Sequence, residues 1–228
     1  MRKFICIEGL DGLGKTTQIN LLQDTLQKKG WKVHSTRALG GDGKDDFQLS
    51  IRKTILSNKF PKENAILEEE LFALADGAGT EVALKFLNDT PEGVVLKDRG
   101  LVSHLCYAAA KDLDMVKIRD IFSPQAKMEA QIEVDHGCHY IVMIPDDISW
   151  LQDRIKTRNI QTGVEIVERL ENENFQRKVL EQILTAVKRN GIQTSLPVGH
   201  IKFSLVEVGQ SDSPDKVLSK VLAALTEE

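Results

Sequence analysis

The order of apolar runs along the chain predicts an α/β fold, a parallel sheet of five strands covered on both faces by helices. Two observations carry that expectation. Strand-type runs recur at Phe4-Ile5-Cys6-Ile7, Trp31–Thr36, Val94-Val95-Leu96, His139–Ile144 and Phe203–Val208. Between successive runs the apolar residues fall at helical spacing instead. With 228 residues the chain suits one large domain, 1–228, better than two small ones.

The elements follow in order. After the first strand, Ile19, Leu22 and Leu26 form a helical stripe that Gly30 stops. A polar loop, Gly40–Lys44, follows strand 2, and Phe47, Ile51 and Ile55 place a helix over 45–58. Pro61 breaks the chain before a long helix at 63–88, expected to be irregular near Gly77-Ala78-Gly79. Helices are expected at about 101–111 and 115–135, the second interrupted around Pro124. Pro145 stops the fourth strand. Helices at about 147–157 and 167–190 flank a polar segment at 159–165, and Pro214 starts the last helix.

Composition excludes several classes. A net charge of −4 argues against a general nucleic-acid binder, while leaving room for a local basic site for phosphates. No apolar run approaches a membrane span, and Glu8 interrupts the first apolar run too early for a signal peptide. Cys6, Cys106 and Cys138 are scattered and odd in number; Cys6 and Cys106 read as buried packing residues. Neither disulfides nor a zinc site are indicated, and a cytosolic or equivalent reducing compartment is expected.

Chemistry enters at Gly9-Leu10-Asp11-Gly12-Leu13-Gly14-Lys15-Thr16-Thr17, which fits G-x-x-x-x-G-K-[ST] at every fixed position. A strand precedes it and a helix begins at Lys15, the setting of a phosphate-binding loop. Gly9, Gly12 and Gly14 let successive N–H groups converge on one concavity, where the helix dipole adds positive charge. Lys15 is placed to reach the β- and γ-phosphates of ATP, and the Thr16 hydroxyl to help hold Mg²⁺. The bland alternative is a glycine-rich turn capping an ordinary helix. The motif makes the sheet a three-layer P-loop NTPase fold, and such folds bind ligands beyond the carboxyl ends of their strands.

A second signature stands at one of those ends. Asp98-Arg99 directly follows Val94-Val95-Leu96, so a carboxylate able to orient water around Mg²⁺ and a guanidinium able to clamp a phosphate come up beside the loop. The competing reading is a surface salt bridge. A third cluster runs from Asp153 to Arg158 and resumes at Glu168-Arg169-Leu170-Glu171. Arg154 and Arg158 are four apart and share a helix face, which suits a lid (about 154–172) over a moving phosphoryl group. Charged helix pairs are also often no more than solvated faces.

Together these segments resemble the thymidylate kinase family. Phe4 to Gln18 reads FICIEGLDGLGKTTQ, similar to the family's opening strand and loop. Thr36-Arg37-Ala38-Leu39-Gly40-Gly41 resembles its T-R-E-P-G-G, and Asp98, Arg99, Ser103 and Tyr107 its D-R-Y-x-x-S-x-x-x-Y. Arg154, Arg158, Glu168, Arg169, Glu171, Glu173 and Phe175 resemble its lid.

The resemblance implies a nucleoside monophosphate kinase that transfers the γ-phosphate of ATP to dTMP with Mg²⁺. It implies that the loop glycines, Lys15, Thr16, Thr17 and Arg169 hold ATP, with Thr16 and Asp98 at the metal. Asp11 would contact the acceptor's sugar and Arg99 its phosphate. Arg37, Ser103 and Tyr107 would lie nearby, and Phe72 would stack on the base. Because the residue after Gly12 is Leu13 rather than a basic one, the catalytic arginine would come from Arg154, Arg158 or Arg169. A homodimer is implied too; the apolar stripes at 63–88 and 101–111 read equally as a dimer face or as packing against the sheet.

Three positions depart from the family pattern. Ala38-Leu39 replaces Glu-Pro, Gly100 replaces the tyrosine of D-R-Y, and Asp76 stands where F-A-x-x-R has its arginine. A carboxylate facing thymine O4 would repel it, whereas it would accept from the N–H groups of guanine or the amino group of cytosine. That favours dGMP or dCMP as acceptor unless Asp76 points elsewhere, and dUMP is a further alternative. The departures also admit a catalytically weak nucleotide-binding protein. A GTPase switch would need N-K-x-D after a late strand, where Ile144-Pro145-Asp146-Asp147 stands instead.

Overall fold

The computed structural model describes residues 2–38, 46–55, 64–162, 172–188 and 201–226. The five strands among the described residues are β1 (Phe4–Gly9), β2 (Lys32–Arg37), β3 (Gly93–Asp98), β4 (Cys138–Pro145) and β5 (Lys202–Val208). They form one sheet in the order β2-β3-β1-β4-β5, every pairing parallel. The central position of β1 explains the apolar run from Phe4 to Ile7. Phe4, Ile5, Cys6 and Ile7 are fully buried between the helical layers, as are Val94, Val95 and Leu96 of the neighbouring β3. Register brings Ile7 opposite Asp98 and Arg37 opposite Asp98 from the other side. The ends of β1, β2 and β3 therefore finish at one level.

The helices are α1 (Lys15–Lys28), α2 (Asp46–Ile55), α3 (Ala65–Asp89), α4 (Leu101–Ala110), α5 (Met115–His136), α6 (Ser149–Thr162), α7 (Glu173–Lys188) and α8 (Pro214–Thr226) among the described residues. Ile19, Leu22 and Leu26 bury the inner face of α1, and Gly30, at φ 88°, ends it as expected.

Two expected interruptions are absent. α3 runs through Gly77-Ala78-Gly79 without a break. A Cβ on Gly79 would meet Gln48 Nε2 at 2.8 Å and Thr36 Oγ1 at 3.4 Å, so this glycine serves the close approach of α3 to α2 and β2. α5 likewise continues through Pro124. Proline costs a helix one backbone bond, but Ile118, Phe122, Ala126 and Ile132 are buried along the same helix and tertiary packing holds it together.

The apolar stripe of α4 is packing: Leu101, Val102, Leu105, Cys106 and Ala108 are all buried. Cys6, Cys106 and Cys138 are free thiols inside the molecule. No described helix is long and apolar enough to cross a membrane. The expected loop at Gly40–Lys44 and Arg169 of the lid lie outside the described residues, as does the side chain of Arg158.

Candidate active site

β1 delivers the chain into the loop at Gly9, whose φ of 134° and position against β4 admit no side chain; a Cβ there would stand 2.3 Å from the Met143 carbonyl oxygen. Gly12 and Gly14 also take positive φ, at 84° and 83°. Lys15, the first residue of α1, is nearly buried and donates to the Leu10 carbonyl at 2.8 Å. Burial, and after it the Arg99 charge, pull its ammonium down to about 8. Thr16 donates its hydroxyl to Asp98 Oδ2 at 2.6 Å, joining α1 to the end of β3.

Arg99 holds the other side of the loop. Its backbone lies in the left-handed region, φ 65°, which is unusual for a residue with a long side chain and is sustained by a bond from its N–H to the Ile7 carbonyl. That conformation turns the chain sharply from β3 into α4. The guanidinium donates to the Gly9 carbonyl at 2.8 Å and the Ser103 hydroxyl at 3.1 Å, and pairs with Asp11 at 2.7 Å. It also lies 5.2 Å from the centre of the Tyr107 ring, whose hydroxyl donates to Asp11 at 3.2 Å. Burial opposes the Arg99 charge, but Tyr107, Asp11, Asp98 and Glu8 outweigh it and hold the guanidinium above the usual arginine range.

Four residues that sequence reasoning missed complete the surroundings. Glu8 is fully buried and accepts from the N–H of Gly100 at 2.9 Å, from the N–H of Ser103 at 3.3 Å, and from the Ser103 hydroxyl. It thereby fixes the start of α4, just after Arg99. Burial raises its carboxyl above the ordinary glutamate value, with Ser103 and Arg99 acting the other way. A charge closing an otherwise apolar strand was the available signal. Arg52, from α2, is pulled below the usual arginine range by burial and then by Arg37, while Asp98 and Asp11 pull it upward. It shares a field with three expected site residues. Lys97 and His104 belong to the surroundings of Asp76.

Asp76 is wholly buried. Lys97 Nζ pairs with its Oδ1 at 2.8 Å, while His104 Nε2 and Gln125 Nε2 meet its Oδ2 at 3.0 and 2.5 Å. Lys97 also donates to Thr80 at 2.9 Å and to Glu129 at 3.2 Å. The carboxylate thus already serves three protein groups. His104 stacks on Phe122 at 4.7 Å and lies 5.6 Å from the Phe72 ring. Gly100 has its own cause: a Cβ there would meet Cys6 Sγ at 3.0 Å and the Tyr140 hydroxyl at 3.3 Å. No larger residue fits without displacing them.

Of the expected lid arginines, Arg154 is the one whose side chain is described, and its recorded ring contact is with Trp150 rather than with these groups. Arg154, on α6, rests over the Trp150 ring at 5.4 Å, and Trp150 donates to Asp146 at 2.8 Å.

Fold and loop define the class first: this is a P-loop protein of the nucleoside-phosphate kinase type, with its phosphate loop facing the end of β3. The family model for thymidylate kinase matches residues 7–135, and the chain belongs to the thymidylate kinase family. A thymidylate kinase of Caldanaerobacter subterraneus is 31% identical over 192 residues, 82% of each chain. A probable thymidylate kinase of Pyrococcus abyssi is 31% identical over 134 residues, 58% of this chain and 64% of that protein. The fold is also that of a solved thymidylate kinase from Candida albicans, with a TM-score of 0.61 at 19% identity over 97% of this chain and 90% of that one.

Proposed function

We propose that this protein transfers the γ-phosphate of ATP to dTMP, giving ADP and dTDP. The observation that carries the reading is the division of labour between two adjacent residues at the end of β3. Asp98 turns to Thr16 on the ATP side of the loop, and Arg99 turns to Asp11 and Gly9 on the other. Two anions bound on those sides would meet across the loop. Phosphoryl transfer needs little beyond such alignment and charge neutralisation.

In this reading the amides of Gly9, Gly12 and Gly14, with Lys15, Thr16 and Thr17, receive the ATP phosphates. The Thr16 and Asp98 oxygens, 2.6 Å apart, are hard donors that fit Mg²⁺ and would hold it. An ion held by Thr16 and Asp98 would neutralise phosphate charge. Arg99, with Arg37 and Arg52, takes the acceptor monophosphate, releasing Asp11 to the sugar. Ser103 and Tyr107 keep Arg99 and Asp11 in place, and Phe72 stacks on the base. Arg154, Arg158 and Arg169 close over the transferring group from the lid at 154–172, and the chain acts as a single domain. A homodimer is part of the same proposal, supported by Leu74 and Val82, half exposed on α3.

The test is ADP release with Mg-ATP against dTMP, dUMP, dGMP, dCMP and dAMP, with Arg99→Ala as control. Turnover led by dTMP and lost in the variant supports the reading. Preference for dGMP or dCMP would reassign the acceptor. ATP binding without turnover of any acceptor would leave a nucleotide-binding module.

A further inference from the structure

We infer that the Arg99–Asp11 pair makes the site select phosphorylated over unphosphorylated nucleosides: the acceptor's phosphate has to take Arg99 before Asp11 is released to the acceptor's sugar. The inference rests on the kinase reading above and deepens it.

The guanidinium has one fixed end and one exchangeable end. Arg99 Nη1 donates to the Gly9 carbonyl at 2.8 Å and to the Ser103 hydroxyl at 3.1 Å, and Ser103 in turn donates to the buried Glu8. Gly9 ends β1 and Ser103 lies in α4, so these partners stay with the fold. Nη2 instead holds Asp11 Oδ1 at 2.7 Å. Asp11 stands in the loop between β1 and α1, next to Gly12 at φ 84°. The side chains of Arg99 and Asp11 keep 21% and 28% of their surface open, so a ligand reaches the pair from solvent. An ion pair in contact with water is weakly held, and a phosphate dianion outcompetes a single carboxylate for a guanidinium.

While the pair stands, Asp11 is engaged at both oxygens. Oδ1 accepts from Arg99, and Oδ2 accepts from the Tyr107 hydroxyl at 3.2 Å. An ionised carboxylate only accepts, so it recognises a ligand through a donor on that ligand. In a nucleoside monophosphate the donor carried next to the phosphate is a sugar hydroxyl. Phosphate on Arg99 frees Oδ1 to receive it. One half of the acceptor thereby opens the contact for the other half, and a nucleoside without phosphate meets a carboxylate already spent on Arg99. The exchange has a thermodynamic signature. Coupling between ligands is reciprocal, so phosphate and the unphosphorylated nucleoside tighten each other, which ligands on independent subsites do not.

The test is calorimetric. Thymidine is titrated into the full chain with and without inorganic phosphate, with dTMP as the reference ligand and the phosphate loop filled by a non-hydrolysable ATP analogue and Mg²⁺. Saturating phosphate is expected to tighten thymidine about two- to fivefold, the range of one exposed ion pair, and thymidine to tighten phosphate by the same factor. Asp11→Asn is expected to bind phosphate about two- to fivefold more tightly than the unaltered protein and to lose the coupling. A carboxylate that served the sugar alone would leave phosphate affinity unchanged in that variant. Equal thymidine affinity with and without phosphate, in unaltered protein that binds dTMP, would overturn the inference and leave the kinase reading standing; that comparison needs no variant. Coupling that survives in Arg99→Ala would overturn it as well. Failure of the unaltered protein to bind dTMP removes the kinase reading, and this inference with it.

Discussion

Lys97 Nζ and the Asp76 carboxylate meet at 2.8 Å in the middle of the molecule, with neither side chain exposed at all. The pair ties β3, which ends at Asp98, to α3, which carries Phe72. Through Glu129 it reaches α5 as well. Removing one partner strands buried charge. Lys97→Met is expected to cost about 3–5 kcal/mol of stability by urea unfolding, and Lys97→Met with Asp76→Leu to recover part of it.

The same pair gives acid sensitivity of a definite sign. Burial raises the Asp76 carboxyl, but Lys97 and His104 outweigh it and leave its pKa below the ordinary 3.8. A group depressed in the folded state contributes stability above its unfolded value, and that contribution is lost as pH falls through the folded one. The urea midpoint is therefore expected to fall more steeply below about pH 4 for the unaltered protein than for Asp76→Asn.

Lys15 offers a binding signature. Its ammonium is lowered to about 8 by burial and by Arg99, and ATP phosphates require it charged. Binding near pH 8 is expected to take up protons, seen as a dependence of calorimetric heat on the buffer's ionisation enthalpy. ATP affinity should weaken about tenfold from pH 7 to 9. A flat profile would detach Lys15 from the phosphates.

If Arg99 clamps the acceptor phosphate as proposed, Arg99→Ala removes that contact while Lys15, Thr16 and Asp98 stay in place on the ATP side. The expected loss is about 10²–10³-fold in kcat/KM for the acceptor, with ATP affinity close to unchanged. Equal losses for both substrates would mean that Arg99 shapes the loop as a whole.

Glu8→Gln tests the anchor of α4. The amide oxygen can keep the N–H groups of Gly100 and Ser103, but an N–H then replaces the oxygen that accepts from the Ser103 hydroxyl, at an expected cost of about 1–3 kcal/mol and about tenfold in acceptor turnover. Because burial raises the Glu8 carboxyl, its ionisation works against the fold as pH rises from the unfolded value of 4.5 through the folded one. The glutamine variant is expected to lack that dependence.

Much of this was legible in the chain itself. Buried parallel strands announce themselves by unbroken apolar runs, and a phosphate loop by glycines at set spacing, because both are local requirements of the backbone. Asp98 and Arg99 were readable for the same reason: they follow a strand whose neighbours were known. Gly79 and Pro124 misled, since local propensity marks them as breaks while packing against α2, β2 and the core keeps both helices continuous.

What the sequence by itself determined was the sheet, the loop and the residues that end its strands, all consequences of near-neighbour chemistry. Where Asp76 spends its charge was decided only by the tertiary structure. Its partners come from β3, α4 and α5, from 21 to 49 positions away along the chain (97 − 76 and 125 − 76). A carboxylate's role depends on which opposite charge the folded chain brings within reach, and no local pattern records that distance.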